Sequence, residues 1–568
     1  MRKTFRLGID AGGTHTDAAL LEGDGVLKNL AGRAKVKTRH DDLPSSLCEV
    51  LAALAHSLGP NHAAFFAGID GVTLGATLAV NALVQDKAER VGLALSAGPG
   101  LNPLRFALGH DVCLVPGGLD HRGTELRSLQ TRPLFDAANA WKKNGIAACA
   151  CVGKFSPRNP AHEQTMAAEM DKLGFSVTQG HRLSGSLNFP RRIATAYYNA
   201  AVGRLHHTFL DAVEAALISS GIRAPAFLLK ADGGSVPLSL SRRCPVQSIL
   251  SGPAASVMGI LALCPSVERG CSLLLDMGGT TTDIALVLDG SPVLERDGMR
   301  LLGRRTLVRS LAAVSVGVGG DSLITVDAAG VHSGPMREGP ALAFGGERPT
   351  LLDALNTLNA SQGIIAGDAA ASIRGLTTLA PDRSPEDTAG AAARDGLNKI
   401  RDAAQELVER VNARPVYTLA ALKAARGALP ERVVLVGGPA ASVRERLQAC
   451  LALPVETPDN ADVANAVGAA LTLPTASLEI YADTGQGVLR APSLDIEERI
   501  GRAFNLEAAA LRAKELLTAH LAEEGASDAA VEILEADIFA TLSDCGYGAK
   551  DIRVVCQAAP GLAGRLWA

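Results

Sequence analysis

Two pairs of short apolar runs carry the clearest pattern along the chain. Residues 7–9 and 18–21 are apolar and flank a short glycine-containing segment, and residues 273–275 and 284–288 do the same near the middle of the chain. Apolar runs of this length on either side of a glycine turn are typical of two buried strands joined as a hairpin. The pattern therefore predicts a strand, a tight turn and a second strand at both places.

The two glycine-containing segments are copies of each other. Residues 10–17 read Asp-Ala-Gly-Gly-Thr-His-Thr-Asp and residues 276–283 read Asp-Met-Gly-Gly-Thr-Thr-Thr-Asp, so six of the eight positions are identical. An internal repeat indicates that one supersecondary unit occurs twice. We therefore predict a duplicated α/β domain with a cleft between its two halves.

Other segments add helices and one more buried strand to the duplicated core. Apolar residues recur at helical spacing over residues 188–219, which predicts a core-facing helix. Residues 432–436 predict a buried strand that ends in the glycine turn Gly437-Gly438. The small residues 465–470 predict a helix that can pack closely against another backbone.

The pattern changes after about residue 475. Residues 496–521 predict a helix-rich stretch and residues 552–555 a strand, so a separate small unit is expected at the C-terminal end. We predict three segments: residues 1–185 as the first half, residues 186–474 as the second half, which contains the second copy of the repeat, and residues 475–568 as the C-terminal unit.

Composition and charge exclude several classes of protein. The chain has 568 residues, of which 47% are hydrophobic and 20% charged, as in a folded globule. The formal charge is -4 and there is no run of basic residues, so we do not expect nucleic acid as a partner. The N-terminus lacks the features of a secretory signal, and no apolar stretch approaches the roughly 20 residues that span a bilayer. The ten cysteines are scattered, as is usual for free thiols in a reducing cytosol, so we expect a cytoplasmic protein. Because the apolar stretches are short, we do not expect it to cross a membrane.

Each copy of the repeat offers the groups that a nucleoside triphosphate and its metal ion require. Glycines let backbone N–H groups approach phosphates, hydroxyls donate hydrogen bonds, and carboxylates bind a bridging cation. Carboxylates this close to a polyphosphate would repel it without a cation, so we predict ATP together with Mg²⁺ or Mn²⁺. The predicted residues are Gly12, Gly13, Gly278 and Gly279 for the phosphates, Thr14, Thr16, Thr280 and Thr282 as hydroxyl donors, and Asp10, Asp17, Asp276 and Asp283 for the metal.

Other candidates are less specific than the repeat. We predict that Gly319, Gly320, Gly437 and Gly438 also contact the nucleotide, the last two at the adenosine. His15 either contacts a phosphate or substrate oxygen or is a turn residue that faces solvent. Asn81 either holds the substrate or caps the following helix. There is no Gly-x-x-x-x-Gly-Lys-Ser/Thr motif, and residues 317–322 lack the final glycine of a dinucleotide fingerprint.

Several further blocks occur in a fixed order between and after the repeats. They are Gly75 to Leu83, Phe155-Ser156 followed by Asn159-Pro160 and His162-Glu163, Asp232-Gly233-Gly234, Ser251 to Ala254, and Gly319 to Ser322. In these blocks and the repeats the chain resembles the hydantoinase/oxoprolinase family, specifically its ATP-using A-type component, over nearly the whole length. The resemblance implies an α/β fold with duplicated actin-like (ribonuclease H-like) ATPase domains around a nucleotide cleft, plus a small α+β C-terminal unit.

The resemblance also implies an activity, which is the ATP-driven opening of cyclic amides such as hydantoins, 5-oxoproline and related lactams. The chain departs from the family pattern at Ala76-Thr77, where two threonines are usual, and at Ala231-Asp232, where Ser-Asn is usual. These departures bear on the substrate more than on the nucleotide. Asp232 is therefore a candidate substrate residue together with His15 and Asn81.

We expect phosphoryl transfer from MgATP to the carbonyl oxygen of the cyclic amide, with Asp10, Asp283, Thr14 and Thr280 at the reaction centre. That oxygen carries no proton, so positioning and charge neutralisation suffice. Three alternatives stay open: a subunit of an ATP-dependent ketone carboxylase, a small-molecule kinase, and an actin-like ATPase that acts as an activator or switch. A separate B-type hydantoinase subunit is the expected partner, because an O-phosphorylated lactam released into water would decay.

Overall fold

The computed structural model describes residues 3–39, 42–76, 83, 87–295, 298–413, 427–526, 529–543 and 546–567. Its centre consists of two β-sheets of similar topology. The strands of the first sheet are, in spatial order, Ser235–Pro237, Ala226–Leu229, Ile69–Ala76, Thr4–Ala11, His15–Gly23 and Leu27–Lys37. The first strand of the chain pairs antiparallel with the second and parallel with Ile69–Ala76.

The second sheet repeats this arrangement around the second hairpin. Its strands are Ser291–Pro292, Thr282–Leu288, Cys271–Met277, Arg432–Val436 and Val455–Glu456, with Ala313–Val316 also paired to Thr282–Leu288. Cys271–Met277 pairs antiparallel with Thr282–Leu288 and parallel with Arg432–Val436. Both repeats are therefore hairpins at the centre of equivalent sheets, which confirms the predicted duplicated α/β fold.

The first sheet is completed by chain that follows residue 185, the predicted end of the first half. Ala226–Leu229 runs parallel to Ile69–Ala76 and therefore needs a crossover connection. The helix Phe189–Ser219 lies in this connection, and Asn188 caps it by accepting a hydrogen bond from the Arg191 backbone N–H. The structure thus confirms the predicted helix, whereas the division into three segments stays a prediction.

The helices of the described residues are Leu43–Leu58, His62–Ala67, Arg132–Lys143, Ala161–Lys172, Gly180–Leu183, Phe189–Ser219, Leu238–Ser241, Ser251–Leu263, Leu351–Asn359, Ala369–Leu379, Pro385–Asn412, Ala440–Leu451, Ala464–Leu471 and Leu506–Glu523.

Two of these helices, Ser251–Leu263 and Ala464–Leu471, are rich in small residues and pack between the two central sheets. A Cβ atom on Gly259 of Ser251–Leu263 would clash with the backbone of Ala464, and a Cβ atom on Gly8 would clash with that of Ala466. Only glycine permits these approaches, so the predicted close packing of residues 465–470 is confirmed.

Two smaller sheets lie outside the duplicated core. The chain between residues 87 and 188 contains the parallel strands Ser176–Gln179, Ala148–Gly153, Val91–Ser96 and Val112–Leu114, and the C-terminal unit contains the antiparallel strands Ile496–Arg499, Val488–Ala491, Ser477–Asp483, Gly546–Ala558 and Val531–Ser543. The remaining short strands are Gly118–Leu119, Glu125–Arg127, Arg300–Leu301, Arg304–Arg305, Ile324–Asp327 and Gly330–Ser333.

The helix-rich stretch predicted over residues 496–521 begins with a strand. Ile496–Arg499 is a strand because it pairs with Val488–Ala491, and the helix begins at Leu506, after the N-cap Asn505. The strand predicted over residues 552–555 is confirmed within Gly546–Ala558. Tertiary pairing therefore overrides a helical pattern in the first part of this segment.

Charged side chains join the sheet of residues 87–188 to the C-terminal unit. Arg122 pairs with Asp483 at 2.7 Å, and Arg158 pairs with Asp551 at 2.6 Å. The carboxylate of Glu163 accepts hydrogen bonds from the Gly153 backbone N–H and the His181 backbone N–H. The Phe155 to Glu163 block thus holds the loop after Ala148–Gly153. Among the described residues, no helix is long and apolar enough to cross a membrane.

Candidate functional site

The two repeats meet at two aspartates, Asp10, which is buried, and Asp276, which is half-buried. The amide Nδ2 of Asn465 donates to Asp10 Oδ2 and to Asp276 Oδ2, each at 3.2 Å. Within the hairpins, Asp10 lies opposite Asp17 and Asp276 lies opposite Asp283. The structure therefore brings the carboxylates of the two halves together around one asparagine side chain.

Burial changes the ionisation of three of these aspartates. Burial, followed by the charge of Asp17, raises the pKa of Asp10 to about 7. Burial likewise raises the pKa of Asp283 to about 7. Asp17 has a pKa raised to about 6 by burial, although Lys35 Nζ lies 2.9 Å from its Oδ2. These groups are ionised only at a cost, which a nearby cation would reduce.

Two carboxylate oxygens at this site have no hydrogen-bond partner among the described residues. They are Asp10 Oδ1 and Asp17 Oδ1, and both are buried. Buried acceptors without a partner are rare in proteins and call for a ligand, ion or water. The described residues do not, however, present three or more His, Cys, Asp or Glu side chains arranged to hold one metal ion. The predicted four-carboxylate metal set is therefore not preassembled as a protein-only cage.

The backbone conformation of the two turns does not require glycine at the glycine positions of the repeats. None of Gly12, Gly13, Gly278 and Gly279 has a positive φ, so a side chain would not strain these turns for that reason. A Cβ atom on Gly13 would have no heavy atom of the described segments within 4 Å. At Gly279 it would lie 2.6 Å from Asp321 Oδ2 and 3.3 Å from Thr14 Oγ1, so the two turns face each other here.

The loop that contains Gly319 and Gly320 lies directly beneath the second turn. The Gly320 N–H donates to the Gly278 carbonyl at 2.9 Å, and the Asp321 N–H donates to the Gly279 carbonyl at 2.7 Å. A Cβ atom on Gly319 would lie 2.6 Å from the Gly279 carbonyl carbon. Gly319 and Gly320 are both buried, so they support the turn from below.

The four threonines of the repeats fall into two groups. Thr14 and Thr280 are half-buried in the turns, where their hydroxyls are available to a ligand. Thr16 is fully buried with its Oγ1 3.0 Å from Thr38 Oγ1, and Thr282 is fully buried and donates to the Val318 carbonyl at 2.6 Å. The side chains of Thr16 and Thr282 therefore brace the hairpins, in contrast to the predicted role as phosphate donors.

The strand end at Gly437 and Gly438 adjoins the second repeat. Gly437 has φ 99°, and a Cβ atom on it would lie 2.8 Å from Asp276 Oδ1. Both the conformation and the contact exclude other residues. Gly438 is exposed, and a Cβ atom on it would meet nothing within 4 Å. The glycine turn is thus open on the side away from Asp276.

His15 is half-buried among basic groups at the mouth of the site. Burial, followed by the charges of Lys35 and Lys37, lowers its pKa, so its imidazole is neutral at pH 7. Arg337 lies nearby and pairs with Asp321 at 2.9 Å. The cationic side chains of Lys35, Lys37 and Arg337 therefore lie around the turns that the sequence predicts to bind phosphates.

Asp232 lies apart from the repeats in a buried ion cluster. Burial opposes ionisation of its carboxyl, but Lys230 and Arg309, each 3.6 Å away, lower its pKa below the usual range. Thr475 Oγ1 and the Gly234 N–H also donate to it. With 1% of its surface exposed, Asp232 is placed as a structural anion, and the predicted substrate contact finds no support. Asn81 lies outside the described residues.

Four further side chains contact the aspartates of the repeats, and the repeated sequence did not predict them. Asn465 and Lys35 contact the aspartates as described above, Ser256 donates to Asp276, and Ser315 hydrogen-bonds to Asp283. Ser315 lies opposite Asp283 on the neighbouring strand. Ser251, in contrast, donates to the Ala76 carbonyl at 2.9 Å and serves as a packing residue.

Comparison with protein families identifies the chain. Residues 192–477 match the hydantoinase/oxoprolinase family, and residues 6–174 match the hydantoinase/oxoprolinase N-terminal region. The chain belongs to the hydantoinase/oxoprolinase family. This confirms the resemblance that the sequence blocks indicate.

Among curated relatives of this family member is the caprolactamase subunit alpha of Pseudomonas jessenii. It is 28% identical over 386 residues, which are 62% of this chain and 54% of the relative. The acetophenone carboxylase gamma subunit of Aromatoleum aromaticum is 24% identical over 394 residues, 61% of this chain and 52% of the relative. The chain thus spans about half the length of the curated relatives it matches.

Solved structures with the same fold agree over nearly the whole chain. The nucleotide-free structure of acetone carboxylase superposes with a TM-score of 0.72 at 17% identity and covers 98% of this chain and 88% of that one. The ATP-dependent caprolactamase of Pseudomonas jessenii superposes with a TM-score of 0.71 at 21% identity and covers 97% and 87%. At these identities the likeness establishes the fold.

The buried Asp10 carboxyl leads to a prediction about stability and pH. Its folded pKa of about 7 lies above the ordinary value of 3.8, so ionisation destabilises the folded state. The penalty is absent below about pH 4, grows between pH 4 and 7, and is complete above pH 7, where it amounts to at most about 4 kcal/mol. We expect Asp10→Asn to raise the thermal unfolding midpoint of ligand-free, metal-free protein at pH 8 and to change it little at pH 4.5.

Thermal unfolding of both proteins at the two pH values, with a chelator present, measures this effect. Asp24→Asn, at an exposed position, is the control and should leave the pH dependence as in the wild type. An equal or lower midpoint for Asp10→Asn at pH 8 would contradict the assigned cost of the buried charge.

Proposed function

We propose that the chain is the ATP-using component of an enzyme that phosphorylates the carbonyl oxygen of a cyclic amide and so drives ring opening. One observation carries the nucleotide part of this proposal. Gly13, in the first of two facing turns, has an ordinary backbone conformation and open space where its Cβ atom would be. Neither packing nor strain explains a glycine there, whereas close approach of a phosphate to the backbone does.

The surroundings of the turns support a polyphosphate ligand. Thr14 and Thr280 offer hydroxyls, and Lys35, Lys37 and Arg337 offer positive charge. The exposed turn at Gly438, beyond the second repeat, leaves room for the adenosine. Gly319 and Gly320 act indirectly in this proposal, since they hold the second turn in place.

The carboxylates fit a divalent cation that is shared with the phosphates. Asp10 and Asp17 each have a buried oxygen without a partner among the described residues, and burial raises the pKa of both carboxyls. Mg²⁺ is usually held by one or two carboxylates plus the phosphates of the substrate, so a protein-only cage is not required. One or two of the aspartates Asp10, Asp17, Asp276 and Asp283 would hold it, and the ion would supply charge neutralisation. Mn²⁺ fits the same oxygen donors.

The chemistry explains why a lactam needs ATP. Amide resonance makes the carbonyl carbon a poor electrophile. The carbonyl oxygen forms a bond to the γ-phosphorus of ATP while the bond from that phosphorus to ADP breaks. Water then adds to the activated carbon, and the C–N bond breaks as the nitrogen takes up a proton, which leaves an acyl phosphate. A second water hydrolyses the acyl phosphate and releases inorganic phosphate. The products are the ring-opened amino acid, ADP and inorganic phosphate, and the protein contributes positioning and preorganised charge.

A partner subunit is part of the proposal. The chain spans about half of its curated relatives, two of which are themselves named as subunits. The hydrolytic step requires a site in which water attacks the phosphorylated lactam before this intermediate decays. We propose that a B-type hydantoinase subunit provides that place.

The test compares the chain alone with the chain plus a B-type subunit. ATP consumption and ring-opened product are measured with a hydantoin, 5-oxoproline and neutral lactams. We expect coupled ADP and ring-opened product only with both subunits. Complete ring opening by the isolated chain would refute the two-subunit part.

Other outcomes would replace the lactam reaction. Carboxylation of a ketone with bicarbonate would favour the carboxylase alternative, and acetone carboxylase shares this fold. A stable phosphorylated product would favour a kinase. ATP turnover that responds to one protein and to no carbonyl compound would favour an activator or switch.

A further inference from the structure

A cavity of about 790 Å³ lies between residues 231–413 of the duplicated core and the C-terminal unit. The core contributes Pro253 and Ala254, at the start of the helix Ser251–Leu263, and the C-terminal unit contributes Glu535. The core also contributes Arg300 and Ser315. This volume is in the range of small-molecule sites.

The cavity reaches the acidic hairpin through Ser315. This residue lines the cavity and also hydrogen-bonds to Asp283, which lies opposite it on the neighbouring strand. The helix that begins at the cavity also carries Ser256, which donates to Asp276. A molecule in the cavity would therefore lie next to the second repeat, on the side of Asp283.

The charges that line the cavity leave one basic group uncompensated among the described residues. Glu295 lies 3.7 Å from Arg410, and Glu535 lies 2.5 Å from Arg553, so both carboxylates of the lining have a basic partner. The side chain of Arg300, whose backbone pairs with that of Arg305, forms no hydrogen bond or ion pair with the part of the chain that the structure describes. Arginine favours planar, bidentate pairing with a carboxylate.

The remaining wall includes apolar side chains. Met299, Leu250 and Leu311 line the same cavity and offer a surface for the methylene groups of a small ring. An apolar wall with a few converging polar groups is the usual form of a small-molecule site. The lining thus combines an apolar surface, a hydroxyl beside Asp283 and a cationic side chain.

From this arrangement we infer that the cavity binds the acceptor substrate and that this substrate is a small cyclic amide that carries a carboxylate. Arg300 pairs with the carboxylate, the apolar side chains contact the ring, and Ser315 connects the substrate end of the cavity to Asp283. The inference rests on the proposed function, since it assigns the acceptor of the same phosphoryl transfer. Arg300 is a specificity-determining residue in this arrangement.

Two ligands that differ only in the carboxylate test the inference. Binding of 5-oxoproline and of 2-pyrrolidinone is measured by calorimetric titration on the full chain with MgADP present. We expect the wild type to bind 5-oxoproline at least tenfold more tightly than 2-pyrrolidinone. Arg300→Gln should remove most of this difference by weakening 5-oxoproline alone.

The control variant is Arg127→Gln, an exposed arginine on a strand of residues 87–188 that does not line the cavity. It should keep the wild-type preference. Equal binding of the two ligands by the wild type, or an unchanged preference in Arg300→Gln, would overturn the inference. Displacement of 5-oxoproline by an equal concentration of inorganic phosphate would also overturn it, because the site would then recognise anions in general.

A separate measurement distinguishes this inference from the proposed function. MgATP binding is titrated on the wild type and on Arg300→Gln, and both should bind the nucleotide equally. If both bind MgATP and the wild type does not discriminate the two ligands, the assignment of the cavity fails alone. If the wild type does not bind MgATP, the proposed function fails.

Discussion

Gly13→Val should remove measurable MgATP binding while the protein stays folded. A Cβ atom at this position meets no atom of the described residues within 4 Å, and the backbone has no positive φ, so the folded chain can accept the side chain. The added methyl groups would instead occupy the space in which we propose that phosphate approaches the backbone. We expect affinity for MgATP to fall at least a hundredfold, which corresponds to about 2.8 kcal/mol. Calorimetric titration measures it.

Gly501→Val is the matched control for this variant. Gly501 is exposed, lies in the C-terminal unit, has no positive φ, and its Cβ atom would also meet nothing within 4 Å. It should bind MgATP as the wild type does. Gly279→Val is a less selective change, because its side chain would also collide with Asp321. Wild-type affinity in a folded Gly13→Val protein would show that no phosphate approaches the first turn.

Asp283→Asn should lower ATP turnover by one to two orders of magnitude. The change keeps the shape of the side chain but removes a carboxylate that we place at the metal and phosphates. The loss corresponds to roughly 1.4 to 2.8 kcal/mol of transition-state stabilisation. Steady-state ATP hydrolysis in the presence of substrate and the B-type subunit measures it, after circular dichroism has established that the variant is folded.

The matched control is Asp353→Asn, a change at a buried aspartate away from the repeats. Asp353 is fully buried and accepts hydrogen bonds from the backbone N–H groups of Leu342 and Thr350 at the start of the helix Leu351–Asn359. Its substitution should lower the unfolding temperature and leave turnover per folded molecule unchanged. Equal turnover in Asp283→Asn and the wild type would remove Asp283 from the reaction centre.

The sequence by itself determined the duplicated architecture. The repeat at residues 10–17 and 276–283 lies within flanking apolar runs, and such a pattern is local, because a buried hairpin needs only adjacent strands and a turn. For the same reason the sequence predicted the helix over residues 188–219 and the small-residue helix over residues 465–470. It did not predict the strand Ile496–Arg499, because pairing with Val488–Ala491 decides the conformation of that segment.

Only the tertiary structure decided which side chains of the repeats face a ligand. Thr14 and Thr16 are equivalent in the sequence pattern, yet Thr16 is buried against Thr38 while Thr14 faces the opposite turn. The direction of a side chain in a hairpin depends on which face of the sheet is covered, and distant helices provide that cover.

The sequence likewise could not predict contacts between distant parts of the chain. Asn465 bridges Asp10 and Asp276, which lie 455 and 189 residues away along the chain. Ser315 connects Asp283 to the cavity only because two strands pair in one register. A motif records which groups are available within a few residues, whereas the fold decides which groups from separate segments share one site, because packing of the two halves sets their distances.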